Sequence, residues 1–199
     1  VVDVDTDRAR ALAADVQTQA YTELDELMNS TPLDAVIVAT PPSQRRKFVE
    51  AATKRKLAVF VEKPIALDLP TARAMCKAVE ETGVVNAVGF HLRYSPLTQK
   101  AKALISARML THVRTVTTTA YYLKMDMPFW FLQRQYSGGP LLEQSLHVLD
   151  AARYLVGDIT DIVARGDRLI RPDLHQFDSE DTVVLGYRFA NGALGTHTD

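Results

Sequence analysis

The most constraining feature of the sequence is a pair of short apolar runs separated by one helical segment. Residues 35–39 ("AVIVA") and 57–61 ("LAVFV") are apolar at every position, which is typical of central parallel strands covered on both faces by helices. The segment between them, 43–56 ("SQRRKFVEAATKRK"), has a helical pattern and a candidate N-cap in Ser43. Strand, helix and strand at this spacing predict a doubly wound parallel sheet.

The same alternation extends from residue 1 to about residue 90. It is visible in 1–4 ("VVDV"), 6–16 ("TDRARALAADV"), 22–28 ("TELDELM", opened by Thr22), 69–82 ("LPTARAMCKAVEET") and 84–90 ("VVNAVGF"). After Pro96 the rhythm changes to a helix, a strand candidate at 111–123, a loop at 125–136 and a helix from Gly139 to Val156. The last two strands are joined by Asn191-Gly192, a strong hairpin signal. We therefore predict a doubly wound parallel α/β domain at 1–93 and an α+β domain with antiparallel or mixed strands at 94–199.

Composition limits the class of ligand. The chain has 23 basic and 24 acidic residues and a net charge of -1, so it has no basic field for nucleic acid. No apolar run approaches the roughly 18 residues that span a bilayer. The single cysteine, Cys76, has no partner and fits a reducing compartment. These features predict a small-molecule ligand, no nucleic acid, no membrane and a cytoplasmic location.

Polar or proline-marked residues follow each predicted parallel strand. They are Asp3, Thr40-Pro41-Pro42, Glu62-Lys63-Pro64 and His91-Leu92-Arg93. Ligands of open α/β sheets lie at the carboxyl ends of the strands, and Pro64 keeps Lys63 out of the helical region, so its side chain starts from an extended backbone. From this tripeptide alone, a lysine at a surface junction between strand and loop is an equal alternative.

A second candidate constellation lies in the helix from Gly139 to Val156. At about 100° per residue, Glu143, His147, Asp150 and Tyr154 share one narrow stripe, and most other positions are apolar. A histidine among acids and a tyrosine suits a pocket in which a proton moves. The alternative is a local hydrogen-bonded pair of Glu143 and His147 at i, i+4. We interpret His112, His175 and His197 as structural.

The first glycine of the chain is Gly83, so residues 1–82 contain no glycine-rich phosphate loop. If 1–4 were the first strand, the fold would lack a pyrophosphate cradle. If it is the second strand, Asp3 stands where the acid that binds the adenosine ribose belongs, and the glycine loop lies upstream. The opening on valine and the hairpin that stops at Asp199 favour the second reading, in which the 199 residues are a piece of a longer protein.

Several blocks together resemble one family. They are "DVDTDRARALA", "LDAVIVATPPSQ", "VFVEKPIAL", "VGFHLRYSP", "GGPLLEQSLHVLDAARYLVGD" and "FANGALGT", which span nearly the whole chain. The chain resembles the glucose-fructose oxidoreductase, inositol dehydrogenase and rhizopine catabolism protein family (Gfo/Idh/MocA), whose members are nicotinamide-dependent and have a Rossmann domain followed by an α/β domain on a large open sheet. The resemblance implies that the first strand, the glycine loop, the first helix and a C-terminal part are missing here.

The resemblance also implies roles for individual residues. The cofactor, NAD with NADP as a possibility, would be bound by Asp3, Thr40, Pro41, Pro42, Glu62, Lys63 and Pro64. The catalytic residues would be Lys63, Glu143 and His147, with His147 as the base. Asp3 would favour NAD, since a carboxylate repels a 2′-phosphate. We add His91, Arg93, Trp130 and Asp150 as candidate substrate-binding residues, and we predict no metal.

The chain departs from the family pattern at four positions. Glu143 replaces an aspartate, Ser145 replaces a glycine, Arg45 stands where many members have a histidine, and His91 where many have an asparagine. These differences bear on the substrate more than on the type of reaction.

The reading that follows is a dehydrogenase that transfers a hydride between nicotinamide and a secondary alcohol of a sugar, cyclitol or related polyol. We expect it to be a homo-oligomer, dimer or tetramer, and expect the isolated 199 residues to be inactive. The rival hypothesis is a cofactor-binding sensor of the same family, although a sensor has no need of Lys63 and His147 together. A structural domain without ligand would leave the polar strand ends unexplained.

Overall fold

The first sheet has three short parallel strands. The computed structural model describes residues 1–109, 112–120, 128–170, 175 and 177–199. The strands are β1 Ala35–Val38, β2 Ala58–Val61 and β3 Asn86–Val88, in the order β1-β2-β3. The register pairs Val38 with Val61 and Val61 with Val88. All three strands therefore end at the same level, and the residues that follow them share one edge.

Four helices accompany this sheet. They are α1 Thr6–Asp15, α2 Leu24–Ser30, α3 Arg45–Lys54 and α4 Leu69–Thr82. Asp5 and Asp68 cap α1 and α4 by accepting backbone N–H groups. The predicted caps Thr22 and Ser43 are wrong: Glu23 precedes α2, and Ser43 lies inside a 3₁₀ turn, Pro42–Gln44, that leads into α3.

The predicted strand at 1–4 is reduced to a single parallel bridge between Val2 and Tyr21. Tyr21 N donates to Val1 O (2.9 Å), and Asp3 N donates to Tyr21 O (3.3 Å). Pairing ends there because Asp5 caps α1 immediately afterwards. The short bridge still places Asp3 at the point where an extended segment enters a helix.

The core of the first sheet lies on one face. Its buried side chains come from both sheet and helices and include Met28, Val38, Val49, Ala52, Val59, Val61 and Met75. Full burial of one such aliphatic side chain stabilises the fold by about 1.5–3 kcal/mol. On the other face Ile37 is 75% exposed and its partner Phe60 is 38% exposed. The expectation of helices on both faces of β1 thus holds for one face within the residues described.

The second sheet is mixed, as predicted. Its strands are β4 Thr115–Thr119, β5 Ile159–Asp167, β6 Thr182–Phe189 and β7 Leu194–Thr198, in the order β4-β7-β6-β5. β4 pairs parallel to β7, and the other pairs are antiparallel. The hairpin at Asn191-Gly192 is confirmed, with Gly192 at φ 86°.

The remaining helices connect the two sheets. They are α5 Pro96–Ser106, α6 Phe129–Leu132, α7 Arg134–Ser137, a π-helical turn at Leu141–Ser145 and α8 Leu146–Val156. The loop predicted at 125–136 is therefore partly helical, while Met125 and Met127 fall outside the described residues. α8 packs on the second sheet through Ala152 and Leu149. Within the described residues no helix is long and apolar enough to cross a membrane.

The predicted α/β class, a parallel sheet followed by a mixed one, matches this architecture. The boundary at residue 93 remains a prediction.

Candidate active site

The carboxyl end of β2 is enclosed by its two neighbouring strands. Glu62 N donates to Val38 O, and Gly89 N donates to Val61 O, both at 2.9 Å. A Cβ at Gly89 would lie 2.7 Å from Glu62 Oε2, so only glycine lets the Glu62 carboxylate pack over the end of β3. The peptide between Lys63 and Pro64 is cis.

Arg45 is a functional candidate for which sequence reasoning gave only a substrate-related departure. It begins α3, is 4% exposed, and donates from Nε to Thr40 O at 2.9 Å and from Nη1 to Glu62 O at 2.7 Å. Nη1 also donates to Pro64 O. Its acceptors are backbone carbonyls, which a sequence pattern does not display.

Lys63 crosses from the first sheet to the π-helical turn. Its Nζ donates to Glu143 Oε1 at 2.8 Å and also to the backbone carbonyl of Glu143. The two side chains are 11% and 10% exposed. Glu143 Oε2 is buried and has no hydrogen-bond partner among the described residues. Burial raises the pKa of Glu143, and its hydrogen bond to Lys63 acts in the opposite direction.

The start of this helix differs from the regular α-helix predicted from Gly139. Gly138 and Gly139 have φ of 82° and 88°, and a Cβ at Gly138 would lie 2.4 Å from Leu142 Cδ2. The chain then forms the π-helical turn that contains Glu143. Isolated π-turns of this kind are frequent at functional sites.

His147 lies one turn beyond Glu143 and contacts the residues that follow β3. Its ring centroid is 4.2 Å from that of His91 and 6.4 Å from that of Phe90. Burial, followed by the charges of Lys63 and His91, lowers the pKa of His147 from 6.5 to about 4. Nδ1 is buried without a hydrogen-bond partner among the described residues. The lowered pKa favours the neutral imidazole, and its Nδ1 has no hydrogen bond to the described residues.

Arg93 and Asp150 form a second ion pair, which also joins the end of the first sheet to the helix that carries His147. Arg93 Nε and Nη2 donate to the two carboxylate oxygens of Asp150 at 2.7 and 2.6 Å. Asp150 is 3% exposed. The guanidinium also lies over the rings of Phe90 (5.7 Å) and Tyr154 (5.3 Å). These hydrogen bonds, which the Asp150 carboxylate accepts, raise the pKa of Arg93. Both groups are occupied with each other, which does not favour their predicted contact with substrate.

The stripe predicted on the helix does face the strand ends. Glu143 meets Lys63, His147 meets His91, and both Asp150 and Tyr154 meet Arg93. Trp130 is different: it lies in α6 and its ring packs against Phe131 at 5.9 Å. That placement gives no support to its predicted role in substrate binding.

The strand edge has groups that suit a dinucleotide. Asp3 is half-buried and accepts the N–H of Asp5 at 2.9 Å. The Thr40 hydroxyl is buried and has no hydrogen-bond partner among the described residues, and Pro41 and Pro42 lead directly from it into the 3₁₀ turn. An acid at one strand end and an orphaned hydroxyl at another fit the ribose and nicotinamide portions of NAD.

This fold and this edge define a Rossmann-type oxidoreductase, and comparison with known proteins gives the family. Residues 1–90 match the GFO/IDH/MocA oxidoreductase family, NAD-binding Rossmann fold, and residues 98–198 match the GFO/IDH/MocA C-terminal domain. The chain belongs to this family of NAD-binding oxidoreductases. The family resemblance, the fold class and NAD as cofactor are thereby confirmed.

The names of individual relatives indicate different activities. The chain is 31% identical over 195 residues to scyllo-inositol 2-dehydrogenase (NAD(+)) of Bacillus subtilis (strain 168), covering 94% of this chain and 55% of that protein. It is 30% identical over 195 residues to 2,7-anhydro-N-acetylneuraminate hydratase of Escherichia coli (strain K12), covering 96% and 52%. A solved structure of levoglucosan dehydrogenase with NADH and levoglucosan matches with TM-score 0.89 and 25% identity over 99% of this chain and 56% of that one. The chain thus spans a little over half the length of these relatives.

Proposed function

We propose that the chain supplies the catalytic centre of an NAD-dependent dehydrogenase acting on a secondary alcohol of a sugar, cyclitol or related polyol. The observation that carries the proposal is the convergence of Lys63 and His147. Lys63 Nζ lies 2.8 Å from Glu143 Oε1, and one helical turn further on His147 Nδ1 has no hydrogen-bond partner in the described part of the chain. A base and a cation beside a dinucleotide-binding edge are what oxidation of a carbinol requires.

The protein residues handle the proton. NAD bound at this edge, beside Asp3 and Thr40, would supply the acceptor for the hydride of the carbinol carbon. Neutral His147 takes the hydroxyl proton, and Lys63 stabilises the negative charge that develops on the same oxygen. The charge of Lys63 is, after burial, a cause of the lowered pKa of His147, and the same charge favours the alkoxide form of the substrate oxygen. Glu143 holds the ammonium in place through two of its acceptors.

The substrate class rests on the relatives together with the polarity of the site. An inositol dehydrogenase and a levoglucosan dehydrogenase both match nearly the whole chain. His91 is exposed beside His147 and is the predicted substrate-binding residue that we retain. Asp3 leads us to expect a preference for NAD over NADP, because its carboxylate repels a 2′-phosphate.

The test uses the full-length protein, NAD and a panel of inositols, sugars and anhydrosugars. Absorbance of reduced nicotinamide is expected to rise with at least one compound. The rate of this rise should be about 10²- to 10⁴-fold lower in His147→Ala. Reduction that persists undiminished in His147→Ala would exclude His147 as the base.

A non-catalytic sensor of the same family is the alternative. It would bind NAD and a polyol with no change in either, which product analysis by mass spectrometry separates from catalysis. Conversion of the polyol without net reduction of NAD would instead indicate a reaction of the hydratase kind named for one relative.

Two further expectations concern cofactor binding and assembly. We propose that residues 1–199 alone bind NAD weakly, since they contain no glycine before Gly83 to form a phosphate cradle.

We also propose a homo-oligomer formed through the outer face of the second sheet, where Val163, Val184 and Leu194 are 66%, 52% and 49% exposed. Light scattering of the full-length protein and of Val184→Glu tests the second expectation, and a monomeric wild type would contradict it.

A further inference from the structure

Arg45 is the most deeply buried arginine of the site region. It is 4% exposed, and arginine is almost never buried to this degree unless its charge and its N–H groups are satisfied. Its three acceptors are the carbonyls of Thr40, Glu62 and Pro64. No carboxylate binds it directly through these contacts, so its role differs from that of an ordinary ion pair.

The three acceptors surround the lysine on which the proposed chemistry depends. Thr40 follows β1, whereas Glu62 and Pro64 flank Lys63 on either side. A planar guanidinium presents its donors in a fixed fork, so one side chain binds the exit of β1, the peptide group that precedes Lys63 and the carbonyl of Pro64 that follows it. The lysine itself is left free to extend toward Glu143.

The charged groups around Arg45 give its burial a further consequence. Burial lowers its pKa, and the nearby carboxylates of Glu143 and Glu62 act against that change. In turn Arg45, after Lys63, is one of the charges that oppose the raised pKa of Glu143. Two cations, Lys63 and Arg45, therefore lie near two carboxylates, of which Glu143 is buried and Glu62 is half-buried.

We propose that Arg45 is a positioning residue that sets the direction of Lys63 by binding the backbone on both sides of it. It acts through the Thr40, Glu62 and Pro64 carbonyls and touches neither substrate nor cofactor. The proposal rests on the proposed function only for the kinetic part of its test, since the orientation of Lys63 is measurable without catalysis.

The test compares Arg45→Met with Arg46→Met in the full-length protein. Arg46 is the matched control because it is the next residue, its side chain is 52% exposed and its ion pair is with Glu50, at i, i+4 on the same helix. The first readout is the rate at which acetic anhydride modifies Lys63, followed by mass spectrometry. We expect faster modification in Arg45→Met, by about fivefold or more, since a released lysine loses its contact with Glu143, and no change in Arg46→Met.

The second readout is steady-state kinetics. We expect kcat to fall by about 10²-fold in Arg45→Met, because a displacement of about 1 Å suffices for such a loss, while KM for NAD changes little. Arg45→Lys should recover only part of kcat, since a point charge cannot bind three carbonyls at once. If Arg45→Met does not fold, Arg45→Lys and Arg45→Gln provide both readouts.

The outcomes separate this proposal from the proposed function. Unchanged Lys63 modification in folded Arg45 variants would overturn the positioning role whatever the activity. Faster modification in a protein that reduces no NAD with any polyol would support the positioning role and count against the dehydrogenase.

Discussion

Two ion pairs join residues at the strand ends of the first sheet to the π-helical turn and to α8. They differ in how many oxygens of the carboxylate are hydrogen-bonded. Arg93 donates two hydrogen bonds, of 2.7 and 2.6 Å, one to each carboxylate oxygen of Asp150. Lys63 donates to one carboxylate oxygen of Glu143, while the other oxygen, Oε2, is buried without a hydrogen-bond partner among the described residues. The first carboxylate therefore has both oxygens hydrogen-bonded, whereas the second has one that can still accept a hydrogen bond.

The difference indicates that the two ion pairs have different roles. A bidentate arginine pair with a fully buried carboxylate fixes geometry and has little capacity left for a ligand. A lysine beside a half-satisfied acid and a neutral histidine keeps capacity for a reacting group. Both pairs come from the same edge and the same helix face, so the contrast reflects the residues and not their location.

Replacement of Lys63 tests the reactive side of the comparison and should have the largest effect. Lys63→Met removes the cation that stabilises the developing alkoxide, and loss of one such donor costs about 10²- to 10³-fold in kcat. The affinity for NAD, measured by titration calorimetry, should change by no more than a few-fold. Lys77→Met is the control, since Lys77 is 74% exposed and pairs with Glu81 at 3.6 Å.

Near-normal turnover in Lys63→Met would remove the distinction between the two pairs. A loss of NAD binding equal to the loss of turnover would instead make Lys63 a cofactor ligand only.

Replacement of Arg93 tests the structural side. Breaking a buried pair by removing one partner typically costs about 3–5 kcal/mol. Because the Arg93 side chain is 38% exposed, we expect a smaller loss, about 2 kcal/mol, for Arg93→Met in urea denaturation. The double variant Arg93→Met/Asp150→Leu should recover part of it, since no unpaired carboxylate is left behind. KM for the polyol should change little, although the free energy of unfolding falls.

The opposite result would restore the sequence-based role of this pair. A raised KM for the polyol with unchanged unfolding free energy in Arg93→Met would identify Arg93 as a substrate ligand.

The placement of the site was predictable from the sequence because it follows from periodicity. Strands that run parallel and in register end at one edge, so Thr40, Glu62 and His91 had to lie together. The helical period likewise placed Glu143 and His147 on one face. The family resemblance then supplied their roles, which remain predictions.

Three features escaped the sequence for identifiable reasons. The π-helical turn follows two glycines with positive φ, Gly138 and Gly139, and an i→i+5 pattern has no residue signature. Arg45 binds carbonyls, which every residue carries. Arg93 and Asp150 are 57 positions apart, and their pairing is visible only once both elements are folded against each other.

The titration of His147 gives the smallest effect and the finest comparison of the two pairs. Its pKa of about 4 lies below the usual 6.5 because of burial and then of Lys63. Lys63→Met should therefore raise this pKa. Asp150 acts in the other direction, so Asp150→Asn should lower it. The measurement is an NMR titration of the imidazole in each variant.

The same shift predicts a dependence of stability on pH. The unfolded histidine binds its proton near pH 6.5, whereas the folded one does so only near pH 4. The contribution of His147 to stability is therefore complete above pH 6.5 and is lost as the pH falls through 4. His147→Gln should remove this part of the acid dependence in urea denaturation between pH 7 and 4. An unchanged dependence, or a His147 pKa near 6.5, would mean that the lysine and the histidine do not share one buried site.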